Sequence, residues 1–187
     1  MYRSEFEAYP FLGEADGDLR CDFEILTDEI ASMIGLLRST VRDGKLCGEL
    51  VFVCELVYHI NPSLRTAVSV TRDELAELER IVAALKSETE GRRRPFVLPV
   101  GCRGAALSHV IRSRCKSAAR LLYRHTHRGN KVDAIVLDFV NLLSGYFFFL
   151  ALKLNALEGV GEIAFESRNY GNRPGAPKPS GGFGDGL

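Results

Sequence analysis

Two long segments in the C-terminal half of the chain, joined by a very short turn, constrain the fold most. The first covers about residues 104–127, the second covers about residues 131–158, and only the letters RGN lie between them. Both segments show apolar residues at helical spacing, and helices of this length are on the order of 35 to 40 Å long. Because a turn of three residues forces two such helices to lie antiparallel, the sequence predicts a helical bundle.

Three further helical patterns precede this pair. Apolar residues recur every three or four positions over about 22–41 and about 46–64, where Pro62 is expected to disturb the last turn. A third helix begins at the letters TRDE, in which Thr71 and Glu74 fit a capping box. No alternation of strand and helix patterns is present. The predicted fold class is therefore all-α, a five-helix bundle.

The composition divides the chain into three parts. Residues 1–20 are polar and contain Gly and acidic side chains, which predicts a flexible lead-in. Residues 21–165 hold the helical patterns and form the single expected domain. Residues 166–187 are rich in Gly and Pro and nearly free of aliphatic side chains, so we expect a disordered tail whose only docking groups are Tyr170 and Phe183.

Charge and hydropathy narrow the classes of partner. The chain has 24 Lys and Arg against 24 Asp and Glu, and this balance predicts neither a nucleic-acid partner nor binding to an anionic membrane surface. The most apolar stretch is interrupted by Asp138, Asn141 and Lys153, which is typical of a buried helix rather than of a membrane span. Because the N-terminus also lacks the apolar run of a signal peptide, we expect a cytoplasmic protein.

The cysteines and histidines do not form a metal-binding pattern. Five cysteines without a C-x-x-C pair indicate reduced thiols that are mostly packed in the core. His125 and His127 could bind a metal, but at the end of a helix such residues more often interact with the helix dipole and the last carbonyls. We therefore predict no metal site.

One face of the fourth predicted helix carries a row of basic side chains, called here the basic ridge. His109, Arg112, Lys116, Arg120 and Arg124 follow one another at intervals of three or four residues, so they project from the same face. Like charges at this spacing repel one another. The ridge is therefore either a solvated outer face or a surface that faces anions, and small residues beside it would let a ligand come close.

Two other features also have two interpretations. The arginines at 92–94 look like a phosphate-binding patch, but on a polar loop we expect them to be merely exposed. In the fifth predicted helix, Asp138, Asn141, Ser144 and Gly145 interrupt an otherwise aromatic and aliphatic pattern. Buried polar side chains need partners, so these positions indicate either hydrogen bonds between helices or the wall of a ligand pocket.

Four blocks of the sequence, in matching order and spacing, resemble the PduO-type ATP:cob(I)alamin adenosyltransferases. They read DEIASMIG, FVLPVG, SHVIRSRCKSAAR and FVNLLSG, where the family has D-E-L-N-S-x-I-G, F-x-L-P-G-G, L-H-x-A-R-x-x-C-R-R-A-E-R and Y-L-N-R-L-S-D. The similarity covers about residues 22–159. It implies a homotrimer of five-helix bundles, with a small-molecule pocket between subunits.

The resemblance also implies a corrinoid as ligand. In the family a reduced corrinoid that lacks a lower ligand attacks the 5′ carbon of ATP and releases triphosphate. The matching positions are Phe96, whose ring crowds out the lower ligand, and Asp28, which pairs with Arg112 across the subunit interface. Together with His109 these residues form the implied corrinoid or ligand pocket, and cobalamin is the implied cofactor. No catalytic residue is assigned.

On the ATP side the chain departs from the family. The letters FLGEADGDL stand where the family has a T-G-D-x-G-x-T-S loop, whose amides and hydroxyls wrap the triphosphate. Further departures lie in the two helical blocks: the paired arginines become Lys116 and Ser117, a Glu becomes Ala119, an Arg becomes Leu142 and an Asp becomes Gly145. Lysine offers a point charge and leucine offers no hydrogen bond, so each change weakens phosphate binding.

What is left resembles a degenerate phosphate site, made of Lys116, Arg120, Asn141 and Ser144. We expect neither tight ATP binding nor a dedicated Mg²⁺ site. The favoured hypothesis is a diverged homologue that binds a corrinoid or another small molecule. The alternatives are an active corrinoid adenosyltransferase, helped by the arginines at 92–94, and a repurposed enzyme of the same fold that acts on an unrelated small molecule.

Overall fold

The computed structural model describes residues 2–15, 17–92 and 96–167. Within them lie five α-helices, α1 (Leu19–Arg38), α2 (Gly44–Ile60), α3 (Arg72–Glu88), α4 (Arg103–His127) and α5 (Ala134–Leu157). The described residues hold no strand, apart from an isolated antiparallel bridge between Val97 and Ala164. The predicted all-α five-helix bundle is therefore confirmed, and the homotrimer stays a prediction.

The helices pack in an order that places α4 and α5 at the centre. α4 lies along α5 and also packs against α1, while α3 covers α5 and α2 covers α1. α5 is long and apolar enough to span a membrane by composition alone. Most of its side chains are nevertheless buried inside the bundle, among them Phe139, Tyr146 and Phe147, so α5 is the core helix of this fold.

The helix ends follow local capping chemistry. The predicted capping box is confirmed, because the Thr71 hydroxyl accepts a hydrogen bond from the Glu74 amide while the Glu74 carboxylate accepts one from the Thr71 amide. α1 begins earlier than the prediction, at Leu19, because the Asp18 carboxylate caps it. α2 ends at Ile60, and a short 3-10 helix with Pro62 in its first turn follows.

Several sequence predictions fall outside the described residues. These are the structure around Arg93 and Arg94 and the tail beyond Ser167 with its two aromatic residues, Tyr170 and Phe183. The division of the chain at residues 20 and 165 likewise stays a prediction.

Candidate functional site

The basic ridge of α4 runs from the protein interior to its surface. His109 is only 4% exposed and Arg112 is half-buried, whereas Lys116, Arg120 and Arg124 are exposed. The five side chains do lie at one helical spacing, but their surroundings differ. The buried end can recognise a ligand in a water-poor environment, and the exposed end can only attract anions through screened charge.

At the buried end, two basic side chains meet an aromatic ring of α5. The Arg112 guanidinium carbon lies 5.8 Å from the centre of the Phe148 ring, and the His109 ring centre lies 6.5 Å from it. Burial, together with the charge of Arg112, lowers the pKa of His109 to about 4, so the imidazole is neutral near pH 7. Burial also lowers the pKa of Arg112. A neutral imidazole, a partly desolvated cation and an aromatic ring thus lie side by side.

Both basic side chains have a buried nitrogen without a hydrogen-bond partner among the described residues. The atoms are Nδ1 of His109 and Nε of Arg112. Buried polar atoms in native proteins nearly always have partners, so this end of the ridge is incomplete within one chain. The sequence prediction missed Phe148, although the run of three phenylalanines at 147–149 marks α5 as unusually aromatic.

The exposed end of the ridge borders a cavity of about 550 Å³ between α1 and α4. Its basic lining residues are Arg114, Lys116, Arg120 and Arg124 from α4. The α1 side contributes two carboxylates, those of Asp22 and Glu29, and Glu29 forms an ion pair with Arg114. Burial and the charge of Arg112 lower the pKa of Lys116. The cavity is therefore mixed in charge rather than a purely cationic phosphate site.

The four residues of the predicted phosphate site do not share this cavity. Lys116 and Arg120 line it, and Asn141 and Ser144 of α5 do not. Asn141 is exposed, and its side-chain amide donates to the Leu137 carbonyl of its own helix at 2.9 Å. Ser144 is buried. Within one chain the two halves of the predicted site thus lie in separate environments.

Phe96 lies on a short extended segment just before α4 and is 48% exposed. Its carbonyl accepts a hydrogen bond from the Phe165 amide, and the Leu98 amide donates to the Ile163 carbonyl. Five large apolar side chains are exposed on these two paired segments: Phe96, Leu98, Val100, Ile163 and Phe165. Such a cluster of exposed apolar side chains is typical of a surface that binds a ligand or a partner.

Asp28 lies on the exposed face of α1, where its carboxylate accepts a hydrogen bond from the Tyr58 hydroxyl at 3.0 Å. This bond is the main reason that the pKa of Tyr58 is raised. The expected pairing of Asp28 with Arg112 involves a neighbouring subunit and stays a prediction. The contact with Tyr58 fixes the direction of the carboxylate, which faces away from the core of its own bundle.

The lead-in before α1 is held by Arg65, a residue that the sequence prediction did not single out. The Arg65 guanidinium donates to the buried Glu24 carboxylate at 2.7 and 2.9 Å and to the Glu14 carboxylate at 2.6 and 2.9 Å. It also lies 3.6 Å from the centre of the Phe11 ring, and the Tyr9 hydroxyl donates to Glu24 at 2.5 Å. This network, called here the Arg65 network, ties residues 9–14 to the bundle.

One expectation about the basic residues needs correction, and another stays untested. Arg92 is not merely an exposed loop residue, since it donates to the Val160 carbonyl at 2.7 Å and to the Glu162 carboxylate at 3.0 Å. It is therefore not free to supply charge to a phosphate site. His125 is buried, its pKa is lowered by burial, and its Nδ1 has no partner in the described part of the chain, so its expected interaction with the end of α4 stays a prediction.

Comparison with known proteins identifies the family. The family model for cobalamin adenosyltransferases matches residues 18–154 of the chain. The protein therefore belongs to the cobalamin adenosyltransferase family. A corrinoid adenosyltransferase of Bacillus subtilis (strain 168) is 27% identical over 164 residues, which cover 82% of this chain and 84% of that protein.

Solved structures agree with this assignment. An arginine-to-lysine variant of the PduO-type ATP:co(I)rrinoid adenosyltransferase from Lactobacillus reuteri, complexed with ATP, has a TM-score of 0.70 at 26% identity, covering 80% of this chain and 88% of that one. A phenylalanine-to-histidine variant from the same organism, complexed with cobalamin and ATP, has a TM-score of 0.72 at 21% identity, covering 86% and 97%. The second likeness supports the fold alone.

Proposed function

We propose that this protein binds a corrinoid in a pocket between the subunits of a cytoplasmic homotrimer, and that its ATP site is too altered for efficient adenosyl transfer. One subunit supplies Phe96, His109 and Arg112, and the next supplies Asp28. The exposed apolar segments around Phe96 suit the face of a corrin ring. The unpaired nitrogens at the buried end of the ridge suit a contact with a neighbouring subunit or with the polar rim of the ligand.

The Arg65 network is the observation that carries this proposal. It uses the segment that stands in the place of the family's triphosphate loop. Two carboxylates of this segment are paired with arginines, with Glu14 bound to Arg65 and Asp18 bound to Arg20. A triphosphate needs amides, hydroxyls and uncommitted cations. Because Arg65 and Arg20 are bound to these carboxylates, their guanidinium groups are not uncommitted cations for a triphosphate.

The rest of the ATP side supports the same conclusion. Leu142, which stands where the family has an arginine, is only 8% exposed and packs in the core. The arginine is therefore replaced by an apolar core contact, and not by another polar group. Arg92 is engaged with Glu162, so it does not compensate for the loss. Among the described residues, the exposed cations of the ridge, Lys116, Arg120 and Arg124, are left to attract phosphates.

A second candidate function, an active corrinoid adenosyltransferase, is favoured by one specific observation. In the Lactobacillus reuteri variants the substituted arginine follows the substituted phenylalanine by twenty residues, the same interval that separates Phe96 from Lys116. The variant with lysine at that position was solved with ATP bound. Lys116 is therefore compatible with ATP binding, and the deficit that we propose comes from the lead-in, Ser117 and Leu142.

Two titrations separate the candidates. We expect hydroxocobalamin to change its visible absorbance on binding, and ATP to bind with a dissociation constant above roughly 100 μM, which corresponds to about 5.5 kcal/mol or less. Adenosylcobalamin should form slowly or not at all from cob(I)alamin and ATP. Its formation within minutes would establish the active enzyme instead. No absorbance change with any corrinoid would overturn the proposal, and light scattering that reports a monomer at micromolar concentration would overturn the homotrimer.

A further inference from the structure

A buried amide at the C-terminal end of α5 connects the two ends of the Phe96 surface. Asn155 is 1% exposed, and its Oδ1 accepts a hydrogen bond from the Cys102 amide at 2.9 Å, where α4 begins. Its Nδ2 donates to the Glu162 carboxylate at 3.5 Å. The backbone carbonyl of Asn155 accepts a hydrogen bond from the Val160 amide at 2.8 Å. One side chain thus contacts the chain on both sides of the paired segments.

The contact with the start of α4 is also steric. Gly101 has a φ of 143°, and a Cβ atom built on it would lie 2.1 Å from Asn155 Oδ1. A residue with a side chain therefore cannot occupy this position while Asn155 stays in place. The turn from the Phe96 segment into α4 is shaped around the amide, with Cys102 as the capping residue of the helix.

On the other side, Glu162 continues the network into the second paired segment. Arg92 binds both the Glu162 carboxylate and the Val160 carbonyl, which holds the chain after α5. Ile163 and Phe165 follow directly, and their backbone groups bond to Leu98 and Phe96. Asn155 thus bonds to the residue that follows one paired segment, Cys102, and to the residue that precedes the other, Glu162.

We infer that Asn155 is a positioning residue for the corrinoid face: it sets the Phe96 segment at the distance from α4 that excludes the lower ligand of a bound corrinoid. This inference rests on the proposed corrinoid site. Asn155 itself lies in the core and has no exposed surface with which to touch a ligand. Its effect is therefore on where Phe96 lies, and not on how strongly the corrinoid is attracted.

The test compares Asn155→Ala with a matched variant, Asn61→Ala. Asn61 donates to the Glu24 carbonyl and the Thr27 hydroxyl, both at 2.7 Å, in the N-terminal half of α1. The Asn61→Ala substitution therefore removes a hydrogen-bonded amide far from Phe96. The measurement is the visible spectrum of cob(II)alamin at saturating protein, which reports the ratio of corrinoid with a displaced lower ligand to corrinoid that retains it. In Asn155→Ala this ratio should be about tenfold lower than in the unchanged protein, as expected for one lost hydrogen bond. The Asn61 variant should keep the spectrum of the unchanged protein at a similar loss of thermal stability.

A second readout needs no corrinoid. Amide hydrogen exchange at Leu98 and Cys102 should accelerate by about tenfold or more in Asn155→Ala and stay unchanged in Asn61→Ala. If Asn155→Ala does not fold, Asn155→Leu keeps the volume while removing the acceptor, and the same results are expected. Unchanged exchange in this segment, or an unchanged spectrum at full occupancy, overturns the inference. Failure of the unchanged protein to bind any corrinoid would instead overturn the proposed function, while the exchange result would still decide the role of Asn155 in placing the segment.

Discussion

The two ends of this bundle each tie an irregular segment to the helices, but with opposite chemistry. Beside Phe96 the central group is the neutral amide of Asn155, which bonds to the Cys102 backbone amide and to the Glu162 carboxylate. Before α1 the central group is the guanidinium of Arg65, which bonds to the carboxylates of Glu14 and Glu24. Both networks contain an ion pair, Arg92 with Glu162 beside Asn155 and Arg65 with Glu14 and Glu24 before α1, but only in the second is the charged group the centre.

The proposed function, in which the corrinoid surface is kept and the ATP site is altered, rests on this difference. A surface for an apolar ring needs exposed carbon atoms and a fixed backbone. A hydrogen-bonded amide can fix the backbone, because it is neutral and still has a donor and an acceptor. A triphosphate site needs uncommitted donors. At the lead-in the nearest arginines, Arg20 and Arg65, already pair with carboxylates, and these ion pairs hold that end of the bundle together.

The largest effect is expected from breaking the ionic end. In Arg65→Met the Glu24 carboxylate, whose side chain is 5% exposed, loses its cation. An unpaired buried charge costs about 3 to 5 kcal/mol, so urea denaturation should show a loss of stability of that size. The control is Arg80→Met, since Arg80 pairs with Glu77 on the exposed surface of α3. That variant should lose less than about 1 kcal/mol. Equal losses in the two variants would contradict the importance given to the Arg65 network.

A smaller, pH-dependent effect is expected from the buried end of the basic ridge. The pKa of His109 falls from its ordinary value of 6.5 to about 4 on folding, because the site is buried and Arg112 is close. The unfolded chain therefore binds the proton first. The contribution of neutral His109 to the free energy of unfolding is fully present above pH 6.5, the ordinary pKa, and is lost as the pH falls from there toward 4. Lowering the pH from about 8 to about 5 should cost on the order of 2 kcal/mol through this residue.

The histidine contribution is isolated by substitution. In His109→Gln, the loss of stability between about pH 8 and about pH 5 should be smaller than in the unchanged protein by about 2 kcal/mol, because glutamine does not titrate. His127→Gln is the matched control, since His127 is exposed at the end of the same helix. A pH profile of His109→Gln that coincides with that of the unchanged protein would show that the imidazole is not held neutral.

The third effect concerns ATP and is expected to be about tenfold. Ser117→Arg adds a guanidinium beside Lys116 in the cavity between α1 and α4, at an exposed position that can accept it without repacking. One charge-assisted hydrogen bond should tighten ATP binding by about tenfold, without efficient turnover, because the lead-in is unchanged. Ser87→Arg on α3 adds the same charge away from the cavity and should have little effect. Equal gains in both variants would mean that ATP responds only to overall charge.

Much of this architecture could be predicted from the sequence, because helices and caps are local. The apolar periodicity of the five helices and the Thr71 capping box involve residues a few positions apart, and both predictions are confirmed. The spacing of the basic ridge was also evident. Its gradient of burial was not, since it depends on which neighbours α5 presents, and Phe148 becomes part of the site only when α4 and α5 pack.

The two networks could not be predicted for the same reason. Arg65 meets Glu14 and Glu24 across 51 and 41 residues of sequence. Asn155 meets Cys102 across 53. Each contact joins an ordinary-looking polar residue to a partner that only the tertiary fold brings near, so no periodicity marks either. The burial of Leu142 is similar, because a leucine in place of a family arginine can lie on a surface or in a core.

The smallest effect on stability is expected at Phe96, the aromatic residue of the proposed corrinoid pocket. Because Phe96 is 48% exposed, it gains only part of the roughly 1.5 to 3 kcal/mol that full burial of such a side chain provides, and Phe96→Ala should cost about 1 kcal/mol. Corrinoid binding should change nonetheless, with the lower ligand retained in the visible spectrum of bound cob(II)alamin. Phe139→Ala, a fully buried phenylalanine of α5, is the control and should cost about 3 to 5 kcal/mol. A loss of several kcal/mol in Phe96→Ala with an unchanged corrinoid spectrum would make Phe96 a core residue. The surface around Phe96 would then not be the ligand surface.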